Sequence, residues 1–410
     1  MTAVDDPALD VRHSPVAAFR QLLARPLTPY YLILGSTVLL TVLGLVMVLS
    51  ASSVESFVDS GSSWAVGKKQ ALWAGIGIPL FAIATRMPTR FWRVIAVPAL
   101  IGGFVLLVLV LVPGIGMSVN GSQNWIQLPG SMRIQPSEAA KLALVVWGAD
   151  VLARKERLLG QISHVVVPLI PVAGLIVSLV LLGGDLGTSL IIMAIIAGLL
   201  FVAGAPFRLF VVLGSAALVV VLYMTFERSA RLSRLQSFLD PFADYQDSGW
   251  QAAHSLFALA SGGWWGVGLG GSAEKWGALP EAHTDFIFAI VGEELGLVGT
   301  LTVLAVFGAL ILGIIRVALL TDDTFARFAS GTVAVWIGAQ AVINIGGVVN
   351  LLPITGVPLP LVSYGGSALV ATLVGLGMVL SFARRLPGAR KALDARGPGP
   401  VARVLRRGRR

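Results

Sequence analysis

Charged and polar side chains are concentrated in one short stretch, residues 264–296, of a chain that is otherwise largely apolar. Charge near lipid is costly and usually serves a function. Asp285 is the first candidate because Phe286-Ile287-Phe288 follow it directly. A carboxylate at such a boundary is partly desolvated, which favours its protonated form and suits it to accept a proton. The alternative is that Asp285 caps the next helix, and the residues alone leave both interpretations open.

Glu138 and Lys141 form a second pair that could take part in chemistry. The sequence QPSEAAK around them is typical of a helix start, with a proline in the first turn and a carboxylate near the positive helix end. Lys141 follows Glu138 by three residues and therefore shares its helical face. The two side chains either neutralise each other as an ion pair inside the membrane or line a polar cavity, and the sequence leaves both open.

Three further residues are candidates for contact with a charged ligand. Asp185, in the turn GGDLGT, favours a helix N-cap, with a position in the same cavity as the alternative. Arg231 and Arg234 share a helical face. Solvent or lipid headgroups are their default partners, and a ligand phosphate is the alternative, because the guanidinium fork fits phosphate oxygens. The four histidines show no metal-ligand spacing.

Two segments rich in glycine or proline should shape the same region. The first, GVGLGG at 266–271, superficially resembles a nucleotide-binding loop. No strand precedes it, so we interpret its glycines as positions for tight turns. The second, VPLPLVSYGGSA at 357–368, has prolines that prevent a helix. It is expected to form an ordered loop over the cavity, with the polar side chain of Asn344 below it.

The elements that must position these residues are membrane helices. Of the 410 residues, 56% are hydrophobic and only 12% are charged, and the mean hydropathy is +0.85. A soluble domain usually has about a quarter of its residues charged. The absence of cysteine excludes disulfides and thiolate chemistry. The net charge of +9 comes from short loops and the C-terminal tail, which indicates membrane orientation and no nucleic-acid partner.

Ten apolar runs are long enough to be membrane helices. We therefore predict an all-α integral membrane protein with about ten transmembrane helices and a large extracytoplasmic loop, 227–285, between the seventh and the eighth. The eighth run exceeds one span and is expected to be tilted or partly re-entrant. The runs are 30–51, 70–87, 94–113, 137–153, 164–182, 187–204, 207–226, 286–316, 328–351 and 363–383.

Basic residues in the loops predict the orientation. In a ten-helix arrangement most of them lie on the side of both termini, which the positive-inside rule makes cytoplasmic, with Lys68 and Lys69 as a clustered exception. The candidate site residues then face outward. We divide the chain into an N-terminal cytoplasmic segment 1–29, a membrane domain 30–385 and a basic tail 386–410. The tail is expected to be disordered.

Four motifs together resemble the SEDS family (shape, elongation, division and sporulation): KWGALPEAHTDFIFAIVGEELG, QPSEAAK, DLGTS and GVPLPLVSYGGSA. The resemblance spans residues 30–385 and is closer to the division branch than to the elongation branch. It implies a peptidoglycan glycosyltransferase that polymerises lipid II at the outer face of the cytoplasmic membrane, at the division septum. The implied partners are a class B penicillin-binding protein, which cross-links the strands, and other membrane proteins of the divisome.

The resemblance also implies roles for individual residues. The family's essential aspartate falls on Asp285, as general base, and a divalent cation, Mg²⁺ or Mn²⁺, is implied as a cofactor. One departure is Gln123-Asn124 before Trp125-Ile126, where many relatives have an arginine. A lipid II flippase and a non-catalytic division scaffold are the alternative functions. We expect substrate contacts from Glu138, Lys141, Asp185, Arg231, Arg234, His283 and Ser363.

Overall fold

The computed structural model describes residues 25–389, apart from 120, 130–131, 228 and 244–248, together with residue 392. This part of the chain consists mainly of twelve α-helices, to which a small sheet is added. The helices are α1 (Thr28–Ser60), α2 (Ala65–Ala84), α3 (Thr89–Leu111), α4 (Pro136–Arg154), α5 (Ile162–Leu182), α6 (Leu186–Val202), α7 (Phe207–Glu227), α8 (Ser229–Leu239), α9 (Trp250–Ser261), α10 (Ile287–Leu320), α11 (Thr324–Val348) and α12 (Gly366–Ala383).

The predicted fold class, an all-α integral membrane protein, is confirmed. Each of the ten predicted apolar runs coincides with a helix, because long apolar stretches satisfy their backbone polar groups most readily within a helix. Among the described residues, seven helices are long and apolar enough to cross a membrane by length and composition. The two additional helices, α8 and α9, lie within the segment 227–285. The number of membrane crossings stays a prediction.

The long helix α10 is broken at Gly296, which explains why its apolar run exceeds one span. Gly296 has φ 68° and ψ −167°, values that favour glycine. The amides of Leu297 and Val298 beyond the break donate to the carbonyl oxygens of Gly263 and Trp264 at 2.9 and 3.2 Å. The amides of Val267 and Gly268 in the glycine-rich loop donate to the carbonyl oxygens of Glu293 and Glu294 before the break, at 2.9 and 3.1 Å. Residues 263–264 and this loop therefore satisfy the backbone groups that the break exposes, as irregular backbone at membrane depth requires.

A three-stranded antiparallel sheet lies between α3 and α4 and was not predicted from the sequence. Its strands are β1 (Gly116–Val119), β2 (Ser122–Gln127) and β3 (Arg133–Ile134), in spatial order β1-β2-β3. The amide of Gln123 donates to the carbonyl oxygen of Gly183 at 2.8 Å. This bond fastens the sheet to the turn between α5 and α6, next to the start of α4.

The helices α11 and α7 differ strongly in their surroundings. α11 packs against α4, α6 and α10, and Trp336 in its centre is buried. Polar side chains on α11 are therefore shielded by protein. α7 is apolar, but none of the side chains in its most apolar stretch is buried against the rest of the chain. Its surface is suited to lipid.

Basic residues gather at the end of the bundle opposite Asp285. Asp150 accepts from both Arg93 and Arg154 at 2.8 Å. Arg385, just after α12, donates to the carbonyl oxygen of Met87 at 3.0 Å. Leu386 and Ala389 are buried, so packed sequence continues slightly past residue 385. Most of the predicted tail, 390–391 and 393–410, lies outside the described residues, as does most of the predicted segment 1–29.

Candidate active site

Asp285 lies at the junction between the loop that follows α9 and the first half of α10. The N-cap position of α10 is Phe286, which makes no side-chain cap, so Asp285 lies one residue before the position that the capping interpretation gave it. The residue is half-buried. It lines a small pocket together with Asn344 and the segment 354–357. A carboxylate is thus placed where a broken helix meets the proline-rich loop.

Asn344 of α11 fixes the backbone of Asp285. Its side-chain nitrogen donates to the carbonyl oxygen of Asp285 at 2.7 Å and to that of Val357 at 2.8 Å. One buried amide thus joins the two segments that form the pocket. The predicted position of Asn344 beneath this loop agrees with the structure. The clamp therefore acts on the backbone of Asp285 and not on its carboxylate.

His283 connects the same segment to α1 and to the residues before α12. Its Nδ1 lies 3.1 Å from a carboxylate oxygen of Glu55. Its carbonyl oxygen accepts from the amide of Tyr364 at 2.9 Å, and the two rings pack with centroids 5.5 Å apart. Burial raises the pKa of Tyr364, and the positive charge of Arg133 opposes that shift. These contacts make His283 an anchor of the Asp285 segment; its predicted contact with substrate stays a prediction.

Glu138 and Lys141 are buried and form an ion pair. The ammonium nitrogen lies 2.8 Å from a Glu138 carboxylate oxygen, and the two side chains are 1% and 3% exposed. Lys141 also donates to Gln340 at 3.2 Å and lies over the ring of Trp336. The geometry favours the self-neutralising pair, although a second Glu138 oxygen has no hydrogen-bond partner among the described residues. The pocket lined by Asp285 includes neither residue.

Asp185 is the N-cap of α6, as the favoured interpretation predicted. Its side chain accepts from the backbone and hydroxyl of Thr188, both at 2.8 Å. It also accepts from Asn124 at 2.9 Å and from Gln135 at 3.0 Å. Asn124 belongs to the Gln123-Asn124 departure noted in the sequence. The carboxylate therefore holds the small sheet and the residue before α4 in place.

Glu293 and Glu294, whose roles the sequence left open, anchor the glycine-rich loop. Glu293 accepts from the Ser272 hydroxyl at 2.5 Å and from the Ala273 amide at 2.8 Å. Glu294 is completely buried and accepts from Lys275 at 3.1 Å. Both carboxylates precede the break at Gly296. They support the loop that pairs with the broken backbone, and this role is structural.

The remaining predicted substrate residues have different environments. Ser363 is buried, and its hydroxyl oxygen accepts from the amide of Leu359 at 2.8 Å, which closes the turn before α12. Its carbonyl oxygen accepts from Gln70 of α2 at 3.3 Å. Arg231 and Arg234 belong to α8, but their side chains lie outside what the structure describes. The substrate contacts of all three stay predictions.

The described side chains do not form a dedicated metal cage. Across the part of the chain that the structure covers, there is no group of three or more His, Asp or Glu residues that could hold a metal ion. The carboxylates of Glu293 and Glu294 are already engaged in hydrogen bonds. The residues therefore do not fit a cation held by protein ligands alone.

Sequence reasoning missed three residues that organise the site: Gln340, Gln70 and Glu55. Gln340 connects Lys141 to the proline-rich loop, Gln70 holds the turn at Ser363, and Glu55 faces His283. Each is a polar residue on a largely apolar helix, which is the available signal, because polar groups in membrane helices usually have partners. The spacing of Gln340 and Asn344 by four residues also places them on one face of α11.

Together, the helical bundle and the carboxylate beside its broken helix define a multi-pass membrane protein with a polar site at one end. The chain belongs to the FtsW/RodA/SpoVE family of cell cycle proteins, whose family model matches residues 30–387. This assignment confirms the resemblance inferred from the motifs.

Individual relatives agree with the family assignment. The probable peptidoglycan glycosyltransferase FtsW of Mycobacterium tuberculosis is 44% identical over 392 residues, which cover 96% of this chain and 75% of that protein. The stage V sporulation protein E of Bacillus subtilis is 38% identical over 357 residues, covering 87% and 97% of the two chains.

Solved structures show the same fold. A chain of a peptidoglycan synthase complex, described as coordinating polymerization and crosslinking, superposes with a TM-score of 0.70 at 28% identity, covering 86% of this chain and 97% of that one. The rod shape determining protein RodA of Thermus thermophilus superposes with a TM-score of 0.63 at 28% identity, covering 87% and 97%.

Proposed function

We propose that this chain is a peptidoglycan glycosyltransferase that polymerises lipid II into glycan strands for septal cell-wall synthesis. Relatives at 38–44% identity carry the name peptidoglycan glycosyltransferase. The observation that carries the proposal is the position of Asp285, a half-buried carboxylate whose backbone is clamped by Asn344 at the edge of a pocket. Such a group combines access to substrate with partial desolvation, and both favour a general base.

The proposed reaction is a displacement at the anomeric carbon of the donor sugar. A hydroxyl oxygen of the acceptor sugar bonds to the anomeric carbon of the donor, and the bond from that carbon to lipid pyrophosphate breaks. Asp285 accepts the hydroxyl proton as the new bond forms, while the pyrophosphate departs with the bonding electron pair. Attack from the side opposite the leaving group inverts the anomeric carbon, so one carboxylate suffices.

The leaving pyrophosphate needs positive charge nearby. In this proposal Arg231 and Arg234 supply it, because Lys141 is 1% exposed and already paired. Family resemblance also implies a divalent cation, Mg²⁺ or Mn²⁺. Since the described residues form no cage for one, no step of the mechanism is assigned to it.

The proposed orientation places Asp285 outside the cytoplasmic membrane and both termini inside. It is supported by the arginines at the opposite end of the bundle, such as Arg93 and Arg154. Lipid II would then reach the site sideways between helices with its headgroup at the outer interface. The proposed partner is a class B penicillin-binding protein transpeptidase, within the divisome at the septum. The solved synthase complex, which couples polymerization to crosslinking, supports this pairing.

The test is a reconstitution of the purified protein with lipid II and a divalent cation, with and without its transpeptidase partner. The proposal predicts glycan strands on a gel. Movement of lipid II across vesicles without strands would favour a flippase instead. If neither activity occurs in the presence of the partner, the result favours a non-catalytic scaffold.

A further inference from the structure

Two buried amides on α11 link the ion pair of α4, Glu138 and Lys141, to the segment that carries Asp285. Gln340 and Asn344 are 1% and 5% exposed and lie on the same helical face. Gln340 contacts Lys141, and Asn344 contacts Asp285. These two contacts define a connected network, in which the side-chain oxygen of Asn344 is buried without a hydrogen-bond partner among the described residues.

The orientation of the Gln340 amide follows from its partners. Its nitrogen donates to the carbonyl oxygen of Pro358 at 2.9 Å. Its oxygen accepts from Lys141 at 3.2 Å and from the Trp336 ring nitrogen at 3.0 Å. A carbonyl oxygen can only accept and an ammonium group can only donate, so the reverse orientation would lose these bonds. The Gln340 side chain therefore connects the ammonium group of Lys141 to the backbone of Pro358 by hydrogen bonds.

Asn344 completes the connection. Its nitrogen donates to the carbonyl oxygens of Val357 and Asp285. Val357 precedes Pro358 directly, so the two amides grip adjacent peptide groups of the same loop. The same Asn344 nitrogen therefore joins this loop to the backbone of Asp285. The sequence of contacts is Lys141, Gln340, the loop, Asn344 and Asp285.

We propose that Gln340 and Asn344 are positioning residues that set the placement of Asp285, and that Lys141 acts through them and makes no contact with substrate. The proposal rests on the function assigned to Asp285 above. Lys141 supports it directly, because its ammonium group is enclosed by Glu138, Gln340 and the ring of Trp336. A substrate would have to displace these partners to reach it.

Enzyme kinetics distinguish positioning from substrate contact. Gln340→Met and Asn344→Leu remove the hydrogen bonds and keep the approximate volume. Each is expected to lower kcat by about 10- to 100-fold, with KM for lipid II within about twofold, because small misplacements of reacting groups have effects of this size. Gln161→Met is the matched control, since Gln161 is exposed near the opposite end of the bundle. It should leave both constants unchanged.

A second variant distinguishes the oxygen of the Gln340 amide from its nitrogen. Gln340→Glu keeps an acceptor for Lys141 and Trp336 but cannot donate to Pro358 when ionised. The proposal predicts that kcat falls with Gln340→Glu as well. Full kcat in this variant would overturn it, as would a raised KM with unchanged kcat in Gln340→Met. This variant also serves if Asn344→Leu fails to fold.

A combined variant tests the connection to Lys141. Glu138→Gln/Lys141→Met removes both charges together and so leaves no buried charge unpaired. Adding Gln340→Met should lower kcat little further, because the residues act as one unit. Effects that multiply would overturn the proposal.

The melting temperatures of the same variants, alone and combined, test the coupling without an activity assay. If the wild-type protein forms no strands, the proposed function fails, and the melting temperatures still decide whether the residues are coupled. Non-additive shifts support the network, and additive shifts contradict it.

Discussion

Lys275 and Glu294 form an ion pair that is almost completely removed from water, with the ammonium nitrogen 3.1 Å from a carboxylate oxygen. Ser50 of α1 donates to the same carboxylate at 2.7 Å, and Lys275 also donates to the carbonyl oxygen of Gly270 at 2.6 Å. Three elements therefore meet at Glu294: the glycine-rich loop, the broken helix α10, and α1. This junction supports the loop that satisfies the backbone at Gly296.

Replacing only one member of the Lys275–Glu294 ion pair should lower the free energy of unfolding more than replacing both. In Glu294→Gln the Lys275 ammonium loses its counter-charge while it stays buried, which costs about 3–5 kcal/mol. Lys275→Met/Glu294→Gln removes both charges and should recover most of the loss. Unfolding in detergent, followed by melting temperature or denaturant midpoint, measures the difference. If the double variant is no more stable than Glu294→Gln, the pair is not the source of the effect.

The contact between the glycine-rich loop and the break in α10 requires glycine at Gly266. The residue has φ +79°, and a Cβ atom there would collide with the backbone of Glu294 and Gly296. We expect Gly266→Ala to lower the free energy of unfolding by at least about 2 kcal/mol, through strain and collision together. Gly35→Ala is the control, because a Cβ at Gly35 meets open space within α1. It should be neutral or stabilising, and equal losses in the two variants would contradict this explanation.

We expect Asp185 to stabilise the small sheet as well as to cap α6. Asp185→Ala removes the N-cap of α6, which costs about 1 kcal/mol. It also releases Asn124 and Gln135, so faster amide hydrogen exchange is expected in the strand β2. Asp323→Ala is the matched control, because Asp323 caps α11 through the amide of Ala326. Unchanged exchange in β2 after Asp185→Ala would show that the cap is its whole role.

The sequence predicted the helices well, because apolar runs of membrane length have few alternatives to a helix in lipid. It also predicted the Asp185 cap, since capping depends on residues within one turn. The small sheet and the break at Gly296 were not visible, because both depend on hydrogen bonds to distant loops. Leu297 and Val298, just after Gly296, are paired with Gly263 and Trp264, and Gln123 is paired with Gly183.

The candidate site was predicted only where local sequence signals define it. Asp285 and Asn344 were placed correctly relative to the proline-rich loop, because flanking prolines and the apolar boundary are local signals. Gln340 was missed, because its importance comes from partners 199 and 18 residues away in sequence. The burial of Lys141 likewise depends on Trp336, on another helix. Tertiary contacts of this kind leave no periodic pattern in the sequence.

The most direct test of the central claim is strand synthesis from lipid II by the purified Asp285→Asn variant. The amide keeps the size of the side chain but cannot accept the proton, so we predict a loss of synthesis of at least about 100-fold, at the lower end of the effect of removing a general base. Asp59→Asn is the matched control, because Asp59 is an exposed carboxylate near the end of α1, and it should retain full activity. Melting temperatures close to wild type would establish that both variants are folded. Full polymerisation by folded Asp285→Asn would contradict the assignment of Asp285 as the base.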